Sequence, residues 1–136
     1  MSVLVDTSIW SLALRRRPET LSRPDRALTD SLAVIIRTGE AKIIGPIRQE
    51  LLTGIRTGSQ FATLKGRLRQ FRDEPLVTED FESAAQLSNR CIGAGIAVTD
   101  VDLLICAVAS LRDWSVFSVD RDFLHYSREL KIRLHA

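Results

Sequence analysis

The feature that most constrains this chain is an alternation of short apolar segments with longer amphipathic ones. Val3–Val5 is apolar and brief, as a buried strand is, and the segment from Thr7 onward places Ile9, Trp10 and Leu14 at helical spacing. Parallel strands need a crossover connection between them, and that connection is usually a helix. The alternation therefore predicts an α/β fold whose parallel sheet is covered by helices on both faces.

Other segments extend the same pattern. Further strands are predicted at Ala41–Ile44, Leu76–Val77, Val116–Val119 and Ile132–Leu134. Further helices are predicted at Asp25–Arg37, around Ile47–Ile55, around Phe61–Phe71, at Glu79–Cys91, at 100–111 and near Phe123. Gly39 follows one of these helices and is placed to end it in the left-handed conformation.

Length and composition exclude several classes of protein. With 136 residues, of which 45% are hydrophobic, we expect a single globular domain spanning residues 1–136. The longest uncharged apolar segment, Leu103–Leu111, is far shorter than the ~20 residues that span a bilayer. No basic region precedes Val3, and Cys91 and Cys106 lack the spacing of a zinc site. We therefore expect a cytoplasmic protein with reduced thiols and no signal peptide, and not a membrane protein, secreted scaffold or zinc finger.

Five acidic residues fall where the predicted topology brings distant segments together. In an open parallel sheet, the segments that follow the carboxyl ends of the strands share one edge. Asp6 and Asp120 directly follow predicted strands, and Asp122 comes two residues later. Glu50 lies in the first turn of the helix that follows another strand. Asp102 begins a helix that leads back to the amino end of a strand, so it starts at the same edge. The five acids are predicted to converge on one rim.

Each of these acids also has a local explanation. Asp6 and Asp120 suit helix N-caps. Thr99 with Asp102 resembles a capping box, and Glu50 fits an ordinary surface position. These explanations require no common location, however, and two carboxylates ~4 Å apart repel by about 1 kcal/mol in water and more in a cleft. A bound cation removes that cost. Oxygen ligands favour Mg²⁺ or Mn²⁺ over Zn²⁺, and such ions commonly serve hydrolysis or transfer at phosphate.

Charge is unevenly distributed along the chain. The first 72 residues carry 13 basic and 6 acidic residues, whereas the remainder carries 6 and 11. The basic half includes Arg15, Arg16 and Arg17. One interpretation is a set of solvated helix faces, and the other is a surface that follows phosphate groups beside the acidic rim. Ser8 and Ser118 each lie two residues from a rim acid, where they are placed either to hydrogen-bond a carboxylate or to cap a helix.

Four pieces of the sequence, in register along nearly the whole chain, resemble a known family. They are Val3–Trp10, Glu50, Asp102–Ala107 and Ser118–Phe123. Together they are similar to PIN-domain ribonucleases, and particularly to the VapC toxins of prokaryotic VapBC toxin–antitoxin modules. No single piece is specific, but the order and spacing of all four are. Where that family often has Ile-Ala-Ala-Thr-Ala, this chain has Ile105–Ala109 with a different sequence at helix-packing positions.

The resemblance implies a three-layer α/β/α PIN-like fold with a central, mostly parallel sheet, and a Mg²⁺- or Mn²⁺-dependent endoribonuclease. It also implies a homodimer and inhibition by a small VapB-type antitoxin, whose C-terminal segment lies across the active site in a toxin–antitoxin hetero-oligomer. Ser8 and Ser118 match polar positions near the metal. The implied catalytic and metal-binding acids are Asp6, Glu50, Asp102 and Asp120, with Asp122 as an auxiliary metal ligand. With RNA as the implied substrate, the predicted RNA-binding residues are Arg15, Arg16 and Arg17.

Three alternatives accompany this interpretation. A haloacid-dehalogenase-like phosphatase also has an aspartate after its first strand, but it needs a second acid where this chain has Ser8. A PIN nuclease of RNA processing, outside any toxin–antitoxin pair, would carry the same residues. A non-catalytic PIN scaffold would have no use for an acidic cluster that costs stability. Asp100, an additional acid beside Asp102, has no assigned role beyond favourable interaction with the helix dipole or support of the metal ligands from behind.

Overall fold

A computed structural model describes residues 1–135. In that part of the chain there are four strands and seven α-helices. The strands are β1 (Val3–Val5), β2 (Ala41–Lys42), β3 (Ser115–Phe117) and β4 (Arg133–Leu134). The helices are α1 (Thr7–Leu14), α2 (Arg23–Arg37), α3 (Gly45–Leu52), α4 (Gly58–Leu68), α5 (Thr78–Gly93), α6 (Asp100–Arg112) and α7 (Asp122–Glu129). A short 3₁₀-helix, Pro18–Thr20, lies between α1 and α2.

The four strands form one parallel sheet in the order β2-β1-β3-β4. The connection from β1 leads to β2 on one side, whereas the connection from β3 leads to β4 on the other. Since parallel crossovers are right-handed, these opposite directions place the helices on opposite faces of the sheet. The α/β fold with a central parallel sheet is therefore as predicted. The crevice between the carboxyl ends of β1 and β3 is a topological switch point, where such sheets bind ligands.

Helix α6 forms the centre of the hydrophobic core. It packs along α5 and contacts β1 and β3. Its residues from Leu103 to Ala109 are all buried, which explains why this segment is apolar on nearly every side. Cys106 lies among them and Cys91 lies on α5, and both are buried free thiols. The start of α6 is consequently fixed relative to the sheet edge.

One predicted strand is wrong. Leu76–Val77 is not a strand: Val77 is the N-cap of α5, and its N–H donates to Asp80 Oδ2 at 2.9 Å. The Asp80 side chain thus accepts the hydrogen bond from the Val77 N–H that a neighbouring strand would otherwise accept. The backbone pairing near this segment is instead an isolated parallel β-bridge between Ile43 and Asp73.

Several predicted boundaries also move. Strand β2 ends at Lys42 rather than Ile44, because Pro46 suits the first turn of a helix and α3 begins at Gly45. Strand β3 ends at Phe117, so the next two residues are free to enter the loop. Helices α3 and α4 end before Ile55 and Phe71, which nevertheless pack against the core. Gly39 adopts the left-handed conformation as predicted, with φ of 76°. No helix of residues 1–135 is long and apolar enough to cross a bilayer.

Candidate active site

A cleft of about 600 Å³ opens at the carboxyl edge of the sheet. Its lining includes four acids from different elements: Asp6 after β1, Glu50 on α3, Asp102 on α6 and Asp120 after β3. The structure therefore brings the predicted quartet into one cleft. Asp122 lies beside it at the start of α7, where its carboxylate, Asp102 and Asp120 each offer an oxygen within 4.8 Å of the others.

Asp6 is the most enclosed acid of the cleft. It is only 6% exposed. It is the N-cap of α1 and also lines the cleft, so it has both of the roles considered for it from the sequence. Its Oδ2 atom accepts hydrogen bonds from the Ser8 hydroxyl at 2.8 Å, the Ser118 hydroxyl at 2.8 Å and the Ser8 N–H at 3.3 Å. Its Oδ1 accepts none from residues 1–135. Because no buried side-chain oxygen there lacks a partner, Oδ1 has access to the cleft.

The two serine hydroxyls connect the β1–α1 turn to the loop after β3. The Ser8 Oγ atom accepts from the Val119 N–H at 3.2 Å, and the Ser118 Oγ atom accepts from the Asp120 N–H at 3.0 Å. Each hydroxyl therefore accepts a hydrogen bond from a backbone N–H and donates one to Asp6. This network fixes the positions of Asp6 and Asp120 relative to each other.

Asp102 is held by the first turn of α6 and by a side chain from α7. Its N–H donates to Thr99 Oγ1 at 3.2 Å, and its Oδ2 atom accepts a 2.9 Å hydrogen bond from the hydroxyl of Tyr126. Burial raises the pKa of Asp102, and the negative charges of Asp6 and Asp120 raise it further, whereas the Tyr126 hydrogen bond opposes them.

Tyr126 is a site residue that sequence reasoning missed. Its side chain is fully buried, and burial together with the adjacent Asp102 raises its pKa, so the hydroxyl stays protonated as a donor. In the sequence, an aromatic residue on the apolar face of a short helix is indistinguishable from ordinary core. The only available signal was its position one turn after Asp122.

Glu50 and Asp120 are exposed, but each is also restrained. Thr7 Oγ1 donates to Glu50 Oε1 at 2.7 Å, and the N–H of Asp122 donates to Asp120 Oδ1 at 2.9 Å. The N-cap of α7 is Arg121 rather than Asp120. Asp100 lines a different groove, with Phe81 and Leu104, and does not line the cleft.

The four cleft acids share one arrangement. In each, one carboxylate oxygen accepts a hydrogen bond from the chain, while the other accepts none from residues 1–135. Across the same residues, no lysine or arginine forms an ion pair with any of the four or with Asp122. Oriented carboxylates with free oxygens and no internal counter-charge are suited to a hard divalent cation, for which oxygen is the preferred ligand.

The three predicted RNA-binding arginines are exposed beyond the end of α1. Arg15 lines a second groove, formed by the end of α1, the α3–α4 connection and α4. Arg16 and Arg17 do not line that groove. The structure therefore separates Arg15 from its two neighbours in the sequence.

Comparison with protein families identifies the chain. The model of the PIN domain family matches residues 3–129, and the chain belongs to this family. No protein with a curated description matches the sequence. Family membership and the acidic cleft together support a hydrolase that acts on nucleic acid.

Solved structures share the same fold. FitAcB from Neisseria gonorrhoeae superimposes with a TM-score of 0.74 at 19% identity, covering 98% of this chain and 96% of that one. VapBC2 from Rickettsia felis, bound to a DNA fragment from its promoter, gives 0.74 at 14% identity, covering 99% and 98%. DNA-bound VapBC from Salmonella typhimurium gives 0.71 at 15% identity, covering 99% and 97%. The fold therefore extends over whole chains despite low identity.

Proposed function

We propose that this chain is a Mg²⁺- or Mn²⁺-dependent endoribonuclease of the VapC type. The observation that carries the proposal is the arrangement of Asp6, Glu50, Asp102 and Asp120, each with one oxygen engaged by the chain and one free in a common cleft. Such a cluster is costly unless a cation occupies it, and the family is one of nucleases.

The residues present fit a divalent ion. Asp102, Asp120 and Asp122 would hold it with their clustered oxygens, and Asp6 adds the free oxygen that its serine network leaves in the cleft. A bound ion supplies positive charge against the charge that develops on phosphate, and it promotes ionisation of the attacking water. Glu50, which lines the same cleft and accepts a hydrogen bond from Thr7, would orient that water. Water adds to phosphorus as the bond to the leaving oxygen breaks.

The proposal is tested by cleavage and by metal-dependent stability. Asp6→Asn and Asp102→Asn should each lower the rate of RNA cleavage in Mg²⁺ by at least about 100-fold, because each removes an oriented charge from the transition state. Saturating Mn²⁺ should stabilise the wild type by about 2.7 kcal/mol at 100 times its Kd, and should stabilise these variants far less. Thermal unfolding with metal and with chelator measures the second effect independently of turnover.

Asp100→Asn is the matched control. It removes the same charge from the same turn of α6 but lines another groove. It should keep both the cleavage rate and the Mn²⁺ stabilisation. Full cleavage by Asp6→Asn, in protein free of contaminating nuclease, would remove this mechanism. Cleavage of single-stranded DNA at the rate of RNA would remove the assignment to RNA.

We further propose a homodimer and a VapB-type antitoxin as partners, in a cytoplasmic toxin–antitoxin assembly. The fold similarity to the VapBC and FitAcB structures supports the antitoxin. Exposed Phe81 and Ile92 on α5 supply apolar surface for self-association. A short adjacent reading frame whose product suppresses cleavage would favour this role over RNA processing, and light scattering of the purified protein would test the dimer.

A further inference from the structure

A second groove, of about 520 Å³, runs beside the acidic cleft. It is formed by the end of α1, the connection from α3 to α4, and one side of α4. Its lining residues are Leu14, Arg15, Gly54, Ile55, Arg56, Ser59, Gln60, Thr63, Leu64 and Arg67. We call this surface the arginine groove.

The arginine groove is strongly basic. Arg15, Arg56 and Arg67 come from three different elements, and no acidic residue is among the lining residues. All three are exposed, and none forms an ion pair within residues 1–135. By contrast, the groove beside α5 that contains Glu79 and Glu82 is acidic. The positive potential of the arginine groove is therefore available to a ligand.

The other lining residues indicate contact with a nucleic-acid backbone rather than with bases. Ser59, Gln60 and Thr63 provide hydroxyl and amide groups along α4, above a floor that includes the buried Leu64. Hydroxyl, amide and guanidinium groups are the common side-chain partners of phosphate oxygens. None of the ten lining residues is aromatic, so this part of the described chain offers no platform for base stacking.

The arginine groove and the acidic cleft adjoin at the connection that follows α3. Thr53 lines the cleft, and Gly54, the next residue, lines the groove. Gly54 has φ of 85°, a left-handed conformation that turns the chain at this junction and that residues with a side chain rarely adopt. A strand whose reacting phosphate lies in the cleft therefore needs to follow only this connection to reach the groove.

We propose that the arginine groove binds the sugar–phosphate backbone of single-stranded RNA next to the reacting phosphate. The inference rests on the proposed function, because it takes RNA as the substrate of the adjacent cleft. Arg15, Arg56 and Arg67 attract phosphates that the carboxylates of the cleft repel. The groove thus holds the substrate without taking part in the bond cleavage itself.

The test compares Arg56→Ala/Arg67→Ala with the wild type. Binding of a fluorescent single-stranded RNA of about 12 nucleotides is measured in chelator, so that no cleavage occurs, across a range of salt concentrations. Loss of two phosphate contacts should reduce the slope of log affinity against log salt by about 1.4, and should weaken binding roughly 10- to 30-fold near 0.1 M salt. In Mg²⁺, KM should rise by a similar factor, while kcat stays within about twofold.

Arg37→Ala/Arg128→Ala is the charge-matched control. Arg37 ends α2 and Arg128 lies in the last turn of α7, so both are near the opposite edge of the sheet. This control should bind RNA and unfold like the wild type. Equal binding by both double variants would overturn the proposal, as would a wild type that does not bind the RNA.

Two further outcomes are informative. Unchanged RNA binding by Arg56→Ala/Arg67→Ala, with loss of binding to a polyglutamate peptide, would assign the groove to an acidic protein segment and overturn the proposal. Groove-dependent RNA binding by a wild type that cleaves no RNA in Mg²⁺ would support the groove and reject the proposed nuclease.

Discussion

The carboxylates near the two ends of helix α6 differ in whether a cationic side chain of the protein neutralises them. At its C-terminal end, Arg112 donates to both oxygens of Asp80 on α5, at 2.7 and 2.9 Å, and also reaches Glu74. At its N-terminal end, Asp102 lies in a cleft with other acids, and its carboxylate accepts a hydrogen bond from the neutral hydroxyl of Tyr126 rather than from a cationic side chain. Helix α6 therefore supplies the counter-charge for two acids of other segments at its C-terminal end, and at its N-terminal end contributes an acid to a cluster that has no counter-charge from residues 1–135.

The paired acid, Asp80, contributes to the stability of the fold, whereas the unpaired acid, Asp102, belongs to the candidate active site. The Asp80 side chain is 1% exposed, and its charge is compatible with burial because a guanidinium is fixed against it. The pKa of Asp80 is accordingly lowered, mainly by its hydrogen bonds with Arg112. The pKa of Asp102 is raised instead, mainly by burial. Because no cationic side chain in the described part of the chain pairs with Asp102, its carboxylate is available to bind a metal cation.

The largest expected effect is at the neutralised end. Arg112→Ala leaves Asp80 buried without a counter-charge, so we expect a loss of about 3 kcal/mol of unfolding free energy and a fall in Tm of roughly 10 °C. Urea unfolding in chelator measures this. Arg90→Ala, which removes a more exposed ion pair with Glu129, should cost less than about 1 kcal/mol. Equal losses in the two variants would show that burial of Asp80 does not set the cost.

The next effect is at the metal-binding end. Tyr126→Phe removes the donor that orients Asp102, and we expect the affinity for Mn²⁺ to fall about 10-fold with the fold intact. Calorimetric titration with Mn²⁺ measures the affinity directly. Ser127→Ala is the control, because it removes a hydroxyl from the same helix that donates only to the Leu124 carbonyl, at 2.8 Å. Unchanged Mn²⁺ affinity in Tyr126→Phe would show that α6 alone positions Asp102.

The smallest effect is a difference in pH dependence between the two ends. Because the folded-state pKa of Asp80 is lowered, its stabilisation is complete above about pH 4 and is lost as the pH falls through the lowered pKa. The pKa of Asp102 is raised, so the folded state binds more protons and stability falls as the pH rises through that value.

In chelator, Asp102→Asn should therefore be as stable as the wild type or more stable, by up to about 1 kcal/mol, and this advantage should grow as the pH rises above about 4. The deficit of Arg112→Ala should instead shrink as the pH falls, because protonation of Asp80 removes the unpaired buried charge from the variant and, at lower pH, the ion pair from the wild type. Thermal unfolding of the three proteins between acid and neutral pH separates these trends. Parallel curves for Asp102→Asn and the wild type would contradict the difference between the two ends.

The acids of the cleft could be predicted because they depend on topology. The alternation of strands and helices determines which loops lie at the same edge of the sheet. That rule alone predicts the shared location of Asp6, Glu50 and Asp120. The contact of Asp102 with Tyr126 and that of Asp80 with Arg112 depend on side-chain directions across packed helices. Such contacts leave no periodic trace in a single sequence. The wrong strand at Leu76–Val77 has the same origin, because a side-chain cap replaced a backbone partner.

The hydrogen bond from Ser118 to Asp6 joins residues that are 112 positions apart. During translation, Asp6 leaves the ribosome long before Ser118 has been synthesised, and β1 then has no β3 beside it. A growing chain therefore carries its first acid without an assembled cleft around it. Under the proposed activity, the mRNA and the translating ribosome are not exposed to a working nuclease until β3 and the loop that follows it have been synthesised.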